Sequence, residues 1–186
     1  MHIFIKMEKK LAQEIIIPEG IETKLEGTKL TIKGPEGENS REFDLGNISF
    51  KIQKDKIILS HERATKKEKR IINTTTAHLK NMIKGVQKKF EYELKICSSH
   101  FPITVKIKED KATIKNFLGE KYDREISLPK DVEIKIDKDI IKIVSTNKEH
   151  AGQAAANFET VTKIKNRDKR IFQDGIYIIN KAGREI

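Results

Sequence analysis

The 186 residues include no tryptophan, a single cysteine and four prolines, and aromatic side chains make up only 6%. Each shortage excludes something. One cysteine, Cys97, permits no intramolecular disulfide framework and fits a reducing compartment. No stretch approaches the roughly 18 consecutive apolar residues that a membrane-spanning helix needs. The opening MHIFIKMEKK returns to charge too early for the apolar region of a signal peptide. The expectation is a soluble, cytoplasmic chain with no membrane partner. So few rings also suit a protein poorly to stacking successive bases of a single strand, and no strand carries the aromatic pattern of an RNA-recognition motif.

Catalytic equipment is equally sparse. The five histidines (His2, His61, His78, His100, His150) are scattered, and none has the spacing of a paired metal ligand. His78 falls on or beside an apolar helical stripe and reads as a packed or capping residue. Cys97 has only His100 near it, with no sequence neighbour to orient that ring, so a small buried hydrophobe is the favoured role. Glycines form neither a dinucleotide fingerprint nor a phosphate-binding loop. Carboxylates alternate with lysines along strand faces, as on a solvated surface. No catalytic residue, metal, cofactor or small-molecule substrate is expected.

What the chain has in excess is positive charge. Lysine and arginine number 38 against 28 acidic residues, giving +10 and a pI near 9.5. That balance favours a polyanionic partner, nucleic acid ahead of an anionic membrane surface. The halves share it: residues 1–92 carry 19 basic and 13 acidic side chains, and residues 93–186 carry 19 and 15. A folded binding surface fits this distribution better than a detachable tail. Two clusters stand out, RATKKEKR (Arg63–Arg70) and KIKNRDKR (Lys163–Arg170), each with five cations. Arginine can fork onto phosphate while lysine adds a mobile point charge. The first cluster runs into a helix start, where cations oppose the macrodipole. With aromatics scarce, recognition is expected to use the backbone, shape and 2′-hydroxyls of folded RNA. A basic protein–protein interaction module that needs no RNA is the competing reading.

The chain also repeats itself. GIETKLEGTKLTIKGPEGE (Gly20–Glu38) aligns without a gap on PITVKIKEDKATIKNFLGE (Pro102–Glu120), and Arg41-Glu42 matches Arg124-Glu125 after one inserted residue. FKIQKDKIILS (Phe50–Ser60) resembles IKIDKDIIKIVS (Ile134–Ser145). Within each repeat, apolar and polar residues first alternate as in a strand with one buried face. Glu26-Gly27, Gly34-Pro35 and Lys54-Asp55 supply the breaks. The period then changes. Thr65-Lys66-Lys67-Glu68 leads into Ile71, Ile72, Leu79, Met82, Ile83 and Val86, with Thr75 bridging the stripe. Thr146-Asn147-Lys148-Glu149 leads into Ala151, Ala154, Ala155, Phe158 and Val161. Both openings have the form of a capping box. The expected fold is α+β: two tandem duplicated domains, each a mainly antiparallel β-sheet packed against one α-helix. The first repeat covers residues 11–88 and the second 89–165, followed by a C-terminal arm, 166–186. Cores of this size confer modest stability.

Several stretches resemble the large-subunit ribosomal protein L-six family: IIIPEGI (Ile15–Ile21), LTIKGPEGE (Leu30–Glu38), TTTAHLKNMIKGV (Thr74–Val86) and the closing R-x-F-x-D-G-I-Y-I (Arg170–Ile178). The closing motif is similar to that of the archaeal and eukaryotic branch, whose eukaryotic member is called L-nine. The resemblance spans about Leu11 to Lys181. It implies a non-catalytic component of the large ribosomal subunit that binds large-subunit ribosomal RNA, mainly through the second domain and the C-terminal segment, near the factor-binding region and the sarcin–ricin loop. Neighbouring ribosomal proteins would be further partners. The RNA contacts it implies are Lys163, Lys165, Arg167, Lys169 and Arg170, then Lys181, with Lys115, Lys121 and Lys148 as lesser candidates. In the closing motif, Asp174-Gly175 is expected to form a tight turn, Phe172 to dock the segment, and Tyr177 to pack its ring and offer its hydroxyl outward.

Overall fold

Alternating strands and two helical stripes are what the computed structural model contains; it describes residues 9–53, 56–168 and 170–186. The expected Lys54-Asp55 turn, Lys169 and most of MHIFIKMEKK lie outside these. The chain divides into two compact units, residues 1–88 and 89–186.

The first unit has six strands and a helix: β1 (Lys9–Ile16), β2 (Glu22–Glu26), β3 (Lys29–Gly34), β4 (Gly37–Glu42), β5 (Ser49–Gln53), β6 (Lys56–Ala64) and α1 (Lys66–Gln87). The strands form two antiparallel three-stranded sheets, ordered β1-β6-β5 and β2-β3-β4. One sheet per repeat was the expectation. Alternation along a strand fixes which residues face inward, not which strands pair, and that leaves the division into two sheets unspecified. Thr65 caps α1 in a full capping box: its hydroxyl accepts from the Lys67 N–H at 3.3 Å, and Glu68 accepts from the Thr65 N–H at 2.9 Å. The helix buries Ile72, Leu79, Met82, Ile83 and Val86 against Leu30, Ile32, Ile57 and Leu59. Each such side chain contributes about 1.5–3 kcal/mol on burial. A Cβ on Gly34 would lie 2.8 Å from the Val86 carbonyl oxygen, so glycine is what allows the β3–β4 turn to seat on the end of α1.

The second unit repeats this plan and extends it. Its strands are β7 (Phe90–Cys97), β8 (Thr104–Lys108), β9 (Lys111–Lys115), β10 (Arg124–Ser127), β11 (Glu133–Asp137), β12 (Ile140–Ser145), β13 (Gly175–Lys181) and β14 (Arg184–Glu185), with α2 spanning Lys148–Val161. One sheet runs β10-β9-β8, and the other β11-β12-β7-β13-β14. The C-terminal segment therefore supplies two strands of the larger sheet. Ala151, Ala154 and Ala155 are fully buried with Phe158, and their small size lets α2 lie close to the sheet.

Two details depart from expectation. Asn147, not Thr146, caps α2, accepting from the Glu149 N–H at 2.9 Å; asparagine is at least as good an N-cap as threonine, and the helix starts one residue later. The Arg-Glu match is also out of structural register. Arg41 pairs with Leu30, whereas Arg124 pairs with Ile114, the counterpart of Ile32, whose own partner is Asn39. A 3₁₀ turn at Phe117–Gly119, absent from the first repeat, takes up the extra chain.

Candidate functional site

One end of the second unit gathers three loops around the C-terminus of α2: residues 98–103, 116–123 and 162–174. Thr162, the last residue of the α2 turn, is 2% exposed; its hydroxyl donates to the Phe158 carbonyl (2.9 Å) and accepts from the Ile176 N–H (3.0 Å). This buried hydroxyl joins the end of α2 to the start of β13. Arg124 reaches the same point from β10. Its guanidinium forks onto Glu120 (2.7 and 2.5 Å), donates to the Val161 carbonyl oxygen and lies 4.3 Å from the centroid of the Phe117 ring. The Asn116 amide donates to the Pro102 carbonyl at 3.1 Å, tying two of the loops together.

The far end of the 162–174 loop is fastened by Asp174. This carboxylate is 1% exposed and accepts from the Ser99 N–H (2.6 Å) and the His100 N–H (3.0 Å), while its second oxygen meets His100 Nδ1 at 2.7 Å. Burial works against its ionisation, yet the hydrogen bonds from His100 and Ser99 outweigh that and hold its carboxyl below the usual carboxylate range. The expected tight turn at Asp174-Gly175 is not formed: Gly175 opens β13, paired with Cys97, and the Asp174 side chain is spent on a loop 74 residues earlier. The same contact supplies the partner that orients the His100 ring. The imidazole stacks on Phe172, centroids 5.0 Å apart, and the Arg167 guanidinium lies 4.7 Å from that ring. Phe172 is partly buried and packs against the core of the unit. Cys97 is only half-buried.

Between these two fastenings the loop presents Lys163, Lys165, Arg167 and Arg170, all exposed. Arg170 is engaged locally: its Nε and Nη2 contact the Asp168 carboxylate at 3.1 and 2.8 Å, which holds Asp168 below the usual carboxylate range. So exposed a pair adds little to stability. Lys115 is bridged to Asp123 at 2.6 Å. Beside the loop a cavity of about 320 Å³ is lined by Glu159, Thr160, Thr162, Lys163, Ile164 and Tyr177. Among the described residues, no group of three or more His, Cys, Asp or Glu is placed to hold a metal. None of the described helices is long and apolar enough to cross a membrane.

Comparison with known proteins is decisive about kinship. The family described as ribosomal protein L6 matches residues 17–89 and 101–175, one copy in each unit. The chain belongs to the ribosomal protein L6 family. It is 44% identical over 171 residues to the large ribosomal subunit protein uL6 of Methanobrevibacter smithii, covering 92% of this chain and 96% of that one. It is 39% identical over 175 residues to the protein of the same name from Methanothrix thermoacetophila (94% and 99%) and 40% over 177 residues to that from Methanocella arvoryzae (95% and 100%). Membership marks a structural protein and not an enzyme.

For this L6-family chain, the structure brings only some of the sequence candidates together. Lys163, Lys165, Arg167 and Arg170 share the loop, and Lys115 and Lys121 lie with the neighbouring 116–123 loop. Lys181 ends β13, about 20 Å along the strand from Gly175. It pairs there with Tyr92. Lys148, in the first turn of α2, has its Nζ 5.9 Å from the centroid of the Phe90 ring, so it belongs to the Lys181 end of the unit. Sequence reasoning missed Arg124 and His100 as organisers of the site. Arg124 was visible as half of a repeated Arg-Glu pair, but nothing local marks His100 as the partner of Asp174.

Proposed function

We propose that this chain is a structural constituent of the large ribosomal subunit, cytoplasmic with that subunit, and that the 163–170 loop of its second unit binds large-subunit ribosomal RNA. In that role it helps maintain the factor-binding region near the sarcin–ricin loop and meets neighbouring ribosomal proteins. One observation carries the reading: four exposed cations stand on a loop fastened at both ends by buried contacts, Thr162 to Ile176 and Asp174 to residues 99–100. Cations held in advance cost less ordering when phosphates arrive. Neutralising converging phosphates releases counterions and fixes RNA helices relative to a rigid protein unit. The names of the archaeal relatives support the ribosomal part of the proposal.

The test is affinity for large-subunit ribosomal RNA fragments as salt is varied. Lys163→Ala combined with Lys165→Ala is expected to weaken binding and to make log K against log[salt] shallower by roughly 1.4–1.8, two phosphate contacts' worth. Unchanged affinity and slope would remove the loop from the interface and favour the protein–protein module.

A further inference from the structure

Tyr177 takes no part in phosphate neutralisation. It is 40% exposed on β13, in a chain with three tyrosines and no tryptophan. Its ring is held in place. A Cβ on Gly175 would come within 3.0 Å of the ring's Cζ and hydroxyl oxygen, so the bare glycine backbone is what lets the ring lie down on it. The hydroxyl sits 3.5 Å from the Asp174 carbonyl oxygen, and Asp174 is itself fixed by its contacts to residues 99–100. The ring also forms one wall of the 320 Å³ cavity whose other lining includes Lys163, Ile164 and Glu159. That volume lies at the small end of the range for small-ligand sites, roughly 300–1,000 Å³.

Resting on the RNA-binding reading above, we propose that this cavity receives one unpaired nucleobase of the RNA, stacked on the Tyr177 ring, with its phosphate on Lys163. A single immobilised aromatic next to a cation is a stacking platform for one splayed-out base, not for a continuous strand. Ile164 supplies an apolar wall for the base. Glu159 repels phosphate from its side and leaves an acceptor for an exocyclic amine, as acidic side chains do toward cytosine N4. The occupant is therefore a base bearing an exocyclic amine in preference to uracil.

The experiment compares Tyr177→Leu and Tyr177→Phe with the unaltered chain, on the same RNA fragments and across the same salt series. Tyr177→Leu is expected to lose roughly ten- to a hundredfold in affinity while the salt slope stays unchanged, because stacking releases no counterions. Tyr177→Phe is expected to keep most of the affinity. Ultraviolet cross-linking of the unaltered chain, read by mass spectrometry, should place a nucleotide adduct on the peptide containing Tyr177; this measurement needs no variant to fold. Full affinity in Tyr177→Leu, or no adduct on that peptide, overturns the stacking site while the Lys163–Lys165 result leaves RNA binding standing. Failure of the unaltered chain to bind the RNA overturns both.

Discussion

Burying Asp174 as a carboxylate is tolerable only because two backbone N–H groups and the His100 imidazole meet it. Its carboxyl is held below the value of about 3.9 that a free aspartate shows. Stabilisation is therefore fully present above that unfolded value and is lost as pH falls through the lower folded one. Asp174→Ala leaves the Ser99 and His100 N–H groups without their acceptor and is expected to cost the second unit about 1.5–3 kcal/mol at neutral pH. Urea unfolding at pH 7 and again below pH 3 checks it: the gap between variant and unaltered chain should narrow in acid. A gap independent of pH would mean that the carboxylate's charge is not what fastens the loop. Sequence alone could suggest only a turn here, because Asp and Gly favour turns wherever they occur. A hydrogen bond to residues 74 positions away has no local signature.

Elements were more legible than their pairing. The stripe Ile72, Leu79, Met82, Ile83, Val86 and the Thr65–Glu68 box delimit α1 as read, since both obey helical spacing within a few residues. At Glu68 the Thr65 hydroxyl is the foremost of the hydrogen bonds that bring the carboxyl down to about 2. The second helix shows the limit of such reading. Thr146 and Asn147 are adjacent capping types, and only the backbone at Asn147, extended at φ −99° and ψ 111°, decides between them. Asn147→Ala is expected to destabilise the second unit by about 0.5–2 kcal/mol, measured by thermal unfolding. No change would show that the cap is not needed. The Arg-Glu match departs from the strand pairing for a different reason. Lysine-rich alternation leaves several alignments equally apolar on the inner face, so the Arg-Glu match lost to the pairing that the Phe117–Gly119 turn imposes.

For the molecule as a whole, the positive excess of +10 is its plainest long-range property, and it is divided between two units of common plan. The second unit adds β13 and β14 to its larger sheet and, ahead of them, the cationic loop. That addition distinguishes it from the first and locates the candidate interface where the duplication stops being symmetric. Composition raised the expectation of an acidic partner, and the resemblance raised the expectation that the C-terminal end meets it. The fastening of the loop by Thr162 and Asp174 required the fold. The most direct measurement is co-sedimentation with large ribosomal subunits stripped of their own copy. The unaltered chain is expected to pellet with the subunits and to be released only at high salt. Lys163→Glu with Lys165→Glu, its thermal unfolding unchanged, is expected to stay in the supernatant at physiological salt. A charge-reversed chain that pellets as the unaltered one does would contradict the loop's role.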